Sequence, residues 1–309
     1  MVSFRNIVLA VIIFWGTLVS ADDVVEQLRN ISMANINTIV IMTSQDMLTS
    51  GSYKFKGGAK MEIYNLPLYH QFKPFWRNIN LFANGSIGYS KTEQDFYYGL
   101  DVPDNMNYQA IPMRFGGGIR YVNSHDFIVL GGFNIIYSHI ENNYDYNTEY
   151  SREIVKPIFD DAFANQTSSS YTYEFFGRAG YYPIWKEWKP YAELTCTFFE
   201  STSKVNLKSI IEFDSSSAEV SFRVGCETPR YLHLFNTDLS NEIYLEKNSF
   251  AGDIEDTLGF EEYGAVALIT HLYLYDMIPL INRLDFQLEK VNGGGIDGYS
   301  IGFGTGFSF

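Results

Sequence analysis

Five histidines, His70, His125, His139, His233 and His271, are the side chains of this sequence best suited to acid–base chemistry. A hydrolase would set one of them against a serine and an orienting polar group, or against an aspartate in a dyad. No His-Glu-x-x-His or calcium-loop spacing occurs. His70, His125 and His233 fall at or near tight turns in the pattern described below. His139 nears the rim of a long loop on an oily face, with Glu141 and Asp145 as acidic neighbours, and is the one histidine placed to join a surface site. An interfacial or loop position explains it more simply. The expected inventory is therefore no catalytic residue, no metal ligand and no cofactor. Cys196 and Cys226 fall on the oily faces of neighbouring segments but at different heights, whereas a disulfide needs Cα atoms within about 7 Å. Two buried or lipid-facing thiols are expected.

A second set of residues is arranged for charge pairing. Arg114, Arg120, Glu174, Arg178, Glu193, Glu219, Arg223, Glu227, Glu242, Glu246, Arg283, Asp285 and Glu289 all fall on the polar side of segments whose other side is apolar. Ile111, Met113, Phe115, Gly117, Ile119 and Tyr121 alternate with Pro112, Arg114, Gly116, Gly118 and Arg120. Val220, Phe222 and Val224 alternate in the same way with Glu219, Ser221 and Arg223, and Leu284, Phe286 and Leu288 with Arg283, Asp285, Gln287 and Glu289. Period two over about ten residues is the mark of a half-apolar strand. The charged face cannot be lipid, because an Arg at a bilayer midplane costs about 2–4 kcal/mol. The oily faces are thus expected to touch lipid and the charges to line an enclosed lumen. There they cross-link the wall or hold a plug; in an open channel they would set ion selectivity, poorly, since the signs are mixed.

These charges need a closed frame, and the rest of the chain supplies its parts. Aromatics make up 17% of the sequence, with 23 Tyr and 25 Phe. They suit strands and membrane-interface girdles. Strands are expected near 298–309, 280–291, 262–275, 235–247, 217–227, 188–211, 171–182, 127–141, 107–122, 76–91 and 60–71, with a first one near 47–56. The fold class is an all-β transmembrane antiparallel barrel of about twelve strands, an even number as in single-chain bacterial barrels. The interval 188–216 is too long for one ordinary strand and too short for three. Links at 72–75, 123–126, 183–187, 228–234 and 276–279 are tight, whereas 92–106 and 142–170 are long, polar and acidic. The tight set reads as periplasmic turns and the long set as extracellular loops.

Both ends of the chain agree with an outer-membrane destination. Residues 1–21 have Arg5, an apolar run from Ile7 to Val19, and Ser20 and Ala21 before Asp22, which reads as a secretory signal cut near Ala21. Losing Arg5 with that segment changes the net charge from −14 to −15. Such acidity speaks against nucleic acid as a partner. The chain closes on DGYSIGFGTGFSF, in which Tyr299, Ile301, Phe303, Phe307 and Phe309 share one face. An aromatic edge of this kind invites aggregation unless it is paired and covered, and lipid is a suitable cover.

The final segment, with Gly304, Phe307 and Phe309, resembles the C-terminal signal that hands outer-membrane proteins to the barrel-assembly machinery. Gly302 departs from the larger polar residue usual at the first position of that signal. More broadly, the strand number, the segment DDVVEQLRNISMANINTIVIMTS, the stretch YKFKGGAKMEIYNLPLYHQF and the terminal GYSIGFGTGFSF resemble the translocator barrel of autotransporters, in particular the solitary, passenger-free kind. The resemblance implies a barrel over 46–309 and, over 22–45, an N-terminal helix or plug in the lumen. Val24, Val25, Leu28, Ile31 and Met33 give that helix one apolar stripe. Autotransporters that cut themselves do so between adjacent asparagines; Asn30, Asn35 and Asn37 are not adjacent, so self-cleavage is not implied. The expected protein is a monomer in contact with outer-membrane lipid and lipopolysaccharide, structural or weakly conducting. The alternatives are a small-solute porin and a loop-borne lipid-modifying enzyme or protease.

Overall fold

Alternating strands that bury one face can satisfy every backbone group only by closing on themselves. The computed structural model has this form. It describes residues 33, 48–55, 58–97, 101–123, 126–157, 160, 164–205, 212–234, 237–258, 261–278 and 281–307. Among the described residues twelve strands form one antiparallel ring: β1 (Leu48–Phe55), β2 (Lys60–Gln71), β3 (Ile79–Phe96), β4 (Asp104–Val122), β5 (Phe127–Asp145), β6 (Gln166–Tyr181), β7 (Lys189–Val205), β8 (Phe213–Glu227), β10 (Thr237–Gly252), β11 (Glu262–Ile278), β12 (Ile281–Gly293) and β13 (Ile296–Phe307). A short β9 (Tyr231–Leu234) pairs with β10 between β8 and β10 in the chain. The last strand returns to the first, with Gly51 opposite Ser300 and Tyr53 opposite Gly298, so no edge is left open.

Two expectations are corrected in detail. The interval 188–216 resolves into one strand, β7, and the start of β8. The long loops are shorter than the hydropathy pattern suggests, 97–103 and 146–165, because β3 to β6 continue past the oily zone. Glu93 pairs with Asn107, Asp95 with Asn105, and Asn107 with Asn143. Beyond lipid neither face of a strand must be apolar, so the two-residue period vanishes while the ladder goes on.

Facing follows the alternation. Phe115 is 75% exposed and Ile111, Ile119 and Phe222 are also exposed, whereas Asp285 is 3% exposed and Glu289 is buried. Leu284 shares the outward parity and is half-buried. Tyr64, Tyr89 and Tyr299 are exposed toward the loop end, and Phe75, Trp76, Trp185 and Trp188 at the turn end. These are the two positions where aromatic girdles meet a membrane interface. Among the described residues no helix is long and apolar enough to cross a membrane.

The turn between Trp185 and Trp188 places Lys186 (φ 49°) and Glu187 (φ 74°) in the left-handed region. Two successive positive φ angles are the hairpin geometry for which Asn-Gly is favoured. Changing Lys186→Asn and Glu187→Gly together is expected to stabilise the folded barrel by about 1 kcal/mol. The midpoint of urea unfolding in lipid vesicles reports it.

Candidate functional site in the barrel lumen

The lumen has three storeys. At the loop end the inward side chains are apolar: Tyr53 and Met61 on β1 and β2, Met106, Tyr108, Ile136 and Ile140 on β4 and β5, and Tyr263, Val291 and Ile296 on β11 to β13 are all buried in one cluster. Ile254, from the short helix Asp253–Leu258 after β10, joins them. Its backbone N–H donates to Ser217 Oγ at 3.1 Å, and Asp253 accepts the Ser216 N–H at 2.7 Å, which fixes the loop over the mouth. Met33 has helical backbone and is 9% exposed within the same cluster. The rest of 22–45, and the cleavage position near Ala21, lie outside the described residues.

Below this collar lies a cavity of about 250 Å³ lined by Arg114, Arg178 and Arg223 and by Glu174, Glu193, Glu219, Glu246 and Glu289. Arg114 Nη2 donates to Glu174 Oε1 at 2.7 Å, with side chains 8% and 2% exposed. Asn134 Nδ2 donates to the same oxygen at 3.0 Å. Arg223 donates through Nε and Nη2 to Glu246, each at 2.6 Å, and lies 4.3 Å above the Tyr244 ring. The Tyr244 hydroxyl donates to Glu289 at 2.5 Å, and Gln287 donates to Glu289 at 3.1 Å. Arg178 donates to Thr195 at 3.2 Å. Tyr182, in the turn after β6, donates to Glu193. Burial first, and the Glu193 carboxylate second, hold its phenol proton well above the usual range.

The alternation thus brought Arg114, Glu174, Arg178, Glu219, Arg223 and Glu289 to one cavity. Arg120 lies apart, half-buried toward the turn end on the same face of β4. Arg283 and Asp285 belong to a third storey near the turns. There His271 Nδ1 stands 2.6 Å from Asp285 and Nε2 3.1 Å from Glu242, and Arg283 Nε donates to Asp285 at 2.8 Å. Glu227 accepts from Lys189, Ser240 and Tyr273, each at 2.7 Å.

Sequence spacing pointed to His139 as the histidine placed to join a site, and the geometry corrects this. His139 is half-buried on the outer face, 3.8 Å from Glu141, while His271 bridges two carboxylates inside the barrel. The signal was hidden because β11 is apolar on both faces, with Ala265, Ala267 and Ile269 inward and Val266 and Leu268 outward. Both ring nitrogens are engaged by carboxyl groups, so His271 is a clamp across β10, β11 and β12 with neither nitrogen free to serve a nucleophile. Its two partners sit on opposite sides of the ring, and no three metal ligands converge among the described residues.

Gly298-x-Ser300-x-Gly302 also has the spacing of a hydrolase nucleophile elbow. It lies in the middle of β13, without the strand-to-helix turn such an elbow needs, and Ser300 Oγ donates to Glu289 at 3.4 Å. His70 packs edge-on against Phe72 at the end of β2, and His125 lies outside the described residues. Cys196 and Cys226 are free. Cys196 is opposite Val220 and Cys226 opposite Pro190, a separation of roughly 20 Å at a rise of 3.3 Å per residue. In the terminal signal, Gly304 pairs with Asp285 and Phe307 with Ile281, and Phe309 lies outside the described residues.

Comparison with known proteins agrees with this architecture. Solved structures that share the fold include the β domain of the Bordetella autotransporter BrkA (11% identity, TM-score 0.59, covering 84% of this chain and 96% of that one). Others are the transport unit of the autotransporter AIDA-I from Escherichia coli (10%, 0.60, 91% and 99%) and the translocator domain of the autotransporter NalP from Neisseria meningitidis (10%, 0.55, 90% and 94%). No curated protein matches the sequence significantly. Residues 33–301 match the family described as the solitary outer membrane autotransporter beta-barrel domain. With that match over most of its length, a closed ring of twelve strands and a lumen lined by paired charges, the chain belongs to this family of outer-membrane autotransporter barrels.

Proposed function

We propose that the barrel is a closed, non-enzymatic outer-membrane protein whose lumen is filled from the periplasmic side by residues 22–45 after signal cleavage near Ala21. The observation that carries this reading is Met33, the one described residue of that segment, which is helical and packed inside the loop-end collar. Size supports it, since twelve strands enclose more space than the eight whose side chains can fill a barrel. The short connections face the periplasm and the loop end faces outward. The barrel is a monomer, delivered to the assembly machinery through Gly304, Phe307 and Phe309. The clamped state of His271 favours a structural role over an acid–base one.

Conductance in planar bilayers tests the reading. The intact barrel is expected to conduct weakly, and a variant lacking residues 22–45 to assemble and conduct at least tenfold more. An intact barrel that conducts like an open pore, unchanged by the truncation, would move a small-solute channel to first place. The polar cavity is the observation that favours that second reading.

A further inference from the structure

The outer wall carries a basic hairpin that the luminal network does not use. The link between β1 and β2 reads Lys54-Phe-Lys-Gly-Gly-Ala-Lys60, in a chain with only 22 Lys and Arg and a net charge of −14. Tyr53 and Met61 point inward, so Lys54 and Lys60 point outward, and both are exposed. They are direct cross-strand partners. Like charges in that position stand about 5 Å apart and repel each other. Two of the three acids beside them are engaged elsewhere, and the third, Glu62, stands one outward position below Lys60 on β2, opposite Lys91 of β3. Asp297, opposite Lys54 on β13, pairs with Lys290, and Glu93, opposite Lys60 on β3, pairs with Lys91. Among the described residues neither Lys54 nor Lys60 has an ion pair of its own.

The surroundings select the anion. Below this pair the wall presents Glu62 and, half-buried opposite it, Lys91, then the exposed Tyr64, Tyr89 and Tyr299, and below them Leu66, Ile87 and Ile301. The lysines therefore stand at headgroup height above an apolar strip. Around the rest of the rim the outward charges are unsuited to an anion: Glu141, Glu200 and Asp214 are exposed acids, and Lys247 is paired with Glu262 at 2.7 Å. We propose that this wall binds a phosphorylated glycolipid of the outer leaflet, with a phosphate between Lys54 and Lys60 and the acyl chains on the strip beneath. The proposal rests on the loop end facing outward, as argued above.

The test uses the full barrel refolded in detergent and titrated with diphosphorylated lipid A, its dephosphorylated form, or phosphatidylglycerol, with bound lipid read by native mass spectrometry. Heat modifiability on gels checks the fold of each variant. Wild type is expected to retain lipid A, and K54Q/K60Q to bind it about thirtyfold more weakly, the factor for two lysines at a charged membrane surface. K247Q, on β10 four strands away from β1, is expected to bind like wild type; should the double variant misfold, K60Q alone is expected to show about a fivefold loss. Equal binding by K54Q/K60Q, or equal binding of dephosphorylated lipid A, would overturn the site. Phosphatidylglycerol bound as tightly as lipid A, with the same dependence on both lysines, would overturn the choice of outer-leaflet lipid and count against the orientation. It would leave the conductance test of the luminal segment unaffected.

Discussion

Replacing Arg114 by leucine is expected to lower the stability of the barrel by about 3–5 kcal/mol. The cause is the group left behind rather than the bond removed. Glu174 is 2% exposed and pairs with Arg114 at 2.7 Å, so the variant must keep a buried carboxylate in the lumen without that counter-ion, the Asn134 amide still donating to it. An uncompensated buried charge costs far more than a neutral hydrogen bond. Replacing both partners, Arg114→Leu with Glu174→Leu, removes the charge together with its counter-ion and is expected to return to within about 2 kcal/mol of wild type. Equilibrium unfolding in vesicles measures all three proteins. A double variant no more stable than Arg114→Leu would mean that the pair is not the unit of interaction on β4 and β6.

The pairing of Arg114 with Glu174 also marks what could be read before any coordinates. Strand number and facing were legible because lipid and lumen impose opposite chemistry on successive residues; Phe115 and Arg114 could not exchange places. Membership of the luminal cavity was legible for the same reason. Partner choice was not. The alternation says that Arg223 and Glu246 point inward, but only the register between β8 and β10 sets them side by side, and register depends on turn geometry. Strand ends were misjudged wherever the ladder outlasts the lipid, as at Glu93 and Asn107.

His271 shows the limit from the other side. On β11 both faces carry Ala, Val, Leu and Ile, so neither parity announces itself as luminal, and the most heavily bonded histidine of the barrel gave no period-two signal. Its neighbours did. Asp285 and Glu242 were placed inward by their own strands, and a histidine on the strand between them was a candidate for their counter-ion. Local pattern places a residue on a face, whereas a cluster across three strands needs the pattern of the adjacent strands as well.

The glycines of β4 and β5 lead to the second large effect. A Cβ built on Gly118 would stand 2.1 Å from the carbonyl oxygen of Gly131 and 2.7 Å from the Phe82 ring, and one on Gly132 would stand 2.6 Å from the Phe176 ring. Phe82 and Phe176 lie over these glycines with ring centroids 6.2 Å apart, so the missing side chains on the wall are the space in which the luminal aromatics sit. Small residues beneath a cross-strand aromatic are a known device for sheet curvature. Gly118→Val is therefore expected to block assembly or cost more than about 3 kcal/mol, because a backbone carbonyl on the adjacent strand cannot rotate away as a side chain can. Shrinking the ring should not help: Gly118→Val with Phe82→Ala still meets the Gly131 oxygen. Gly177→Ala on β6 is the matched control, since a Cβ there meets nothing within 4 Å. That variant is expected to fold like wild type, with stability within about 0.5 kcal/mol. The yield of heat-modifiable barrel from each variant separates the two outcomes. Normal yield from Gly118→Val would show that β4 and β5 can move apart at this point, and that the glycines are not what seats the two aromatic rings.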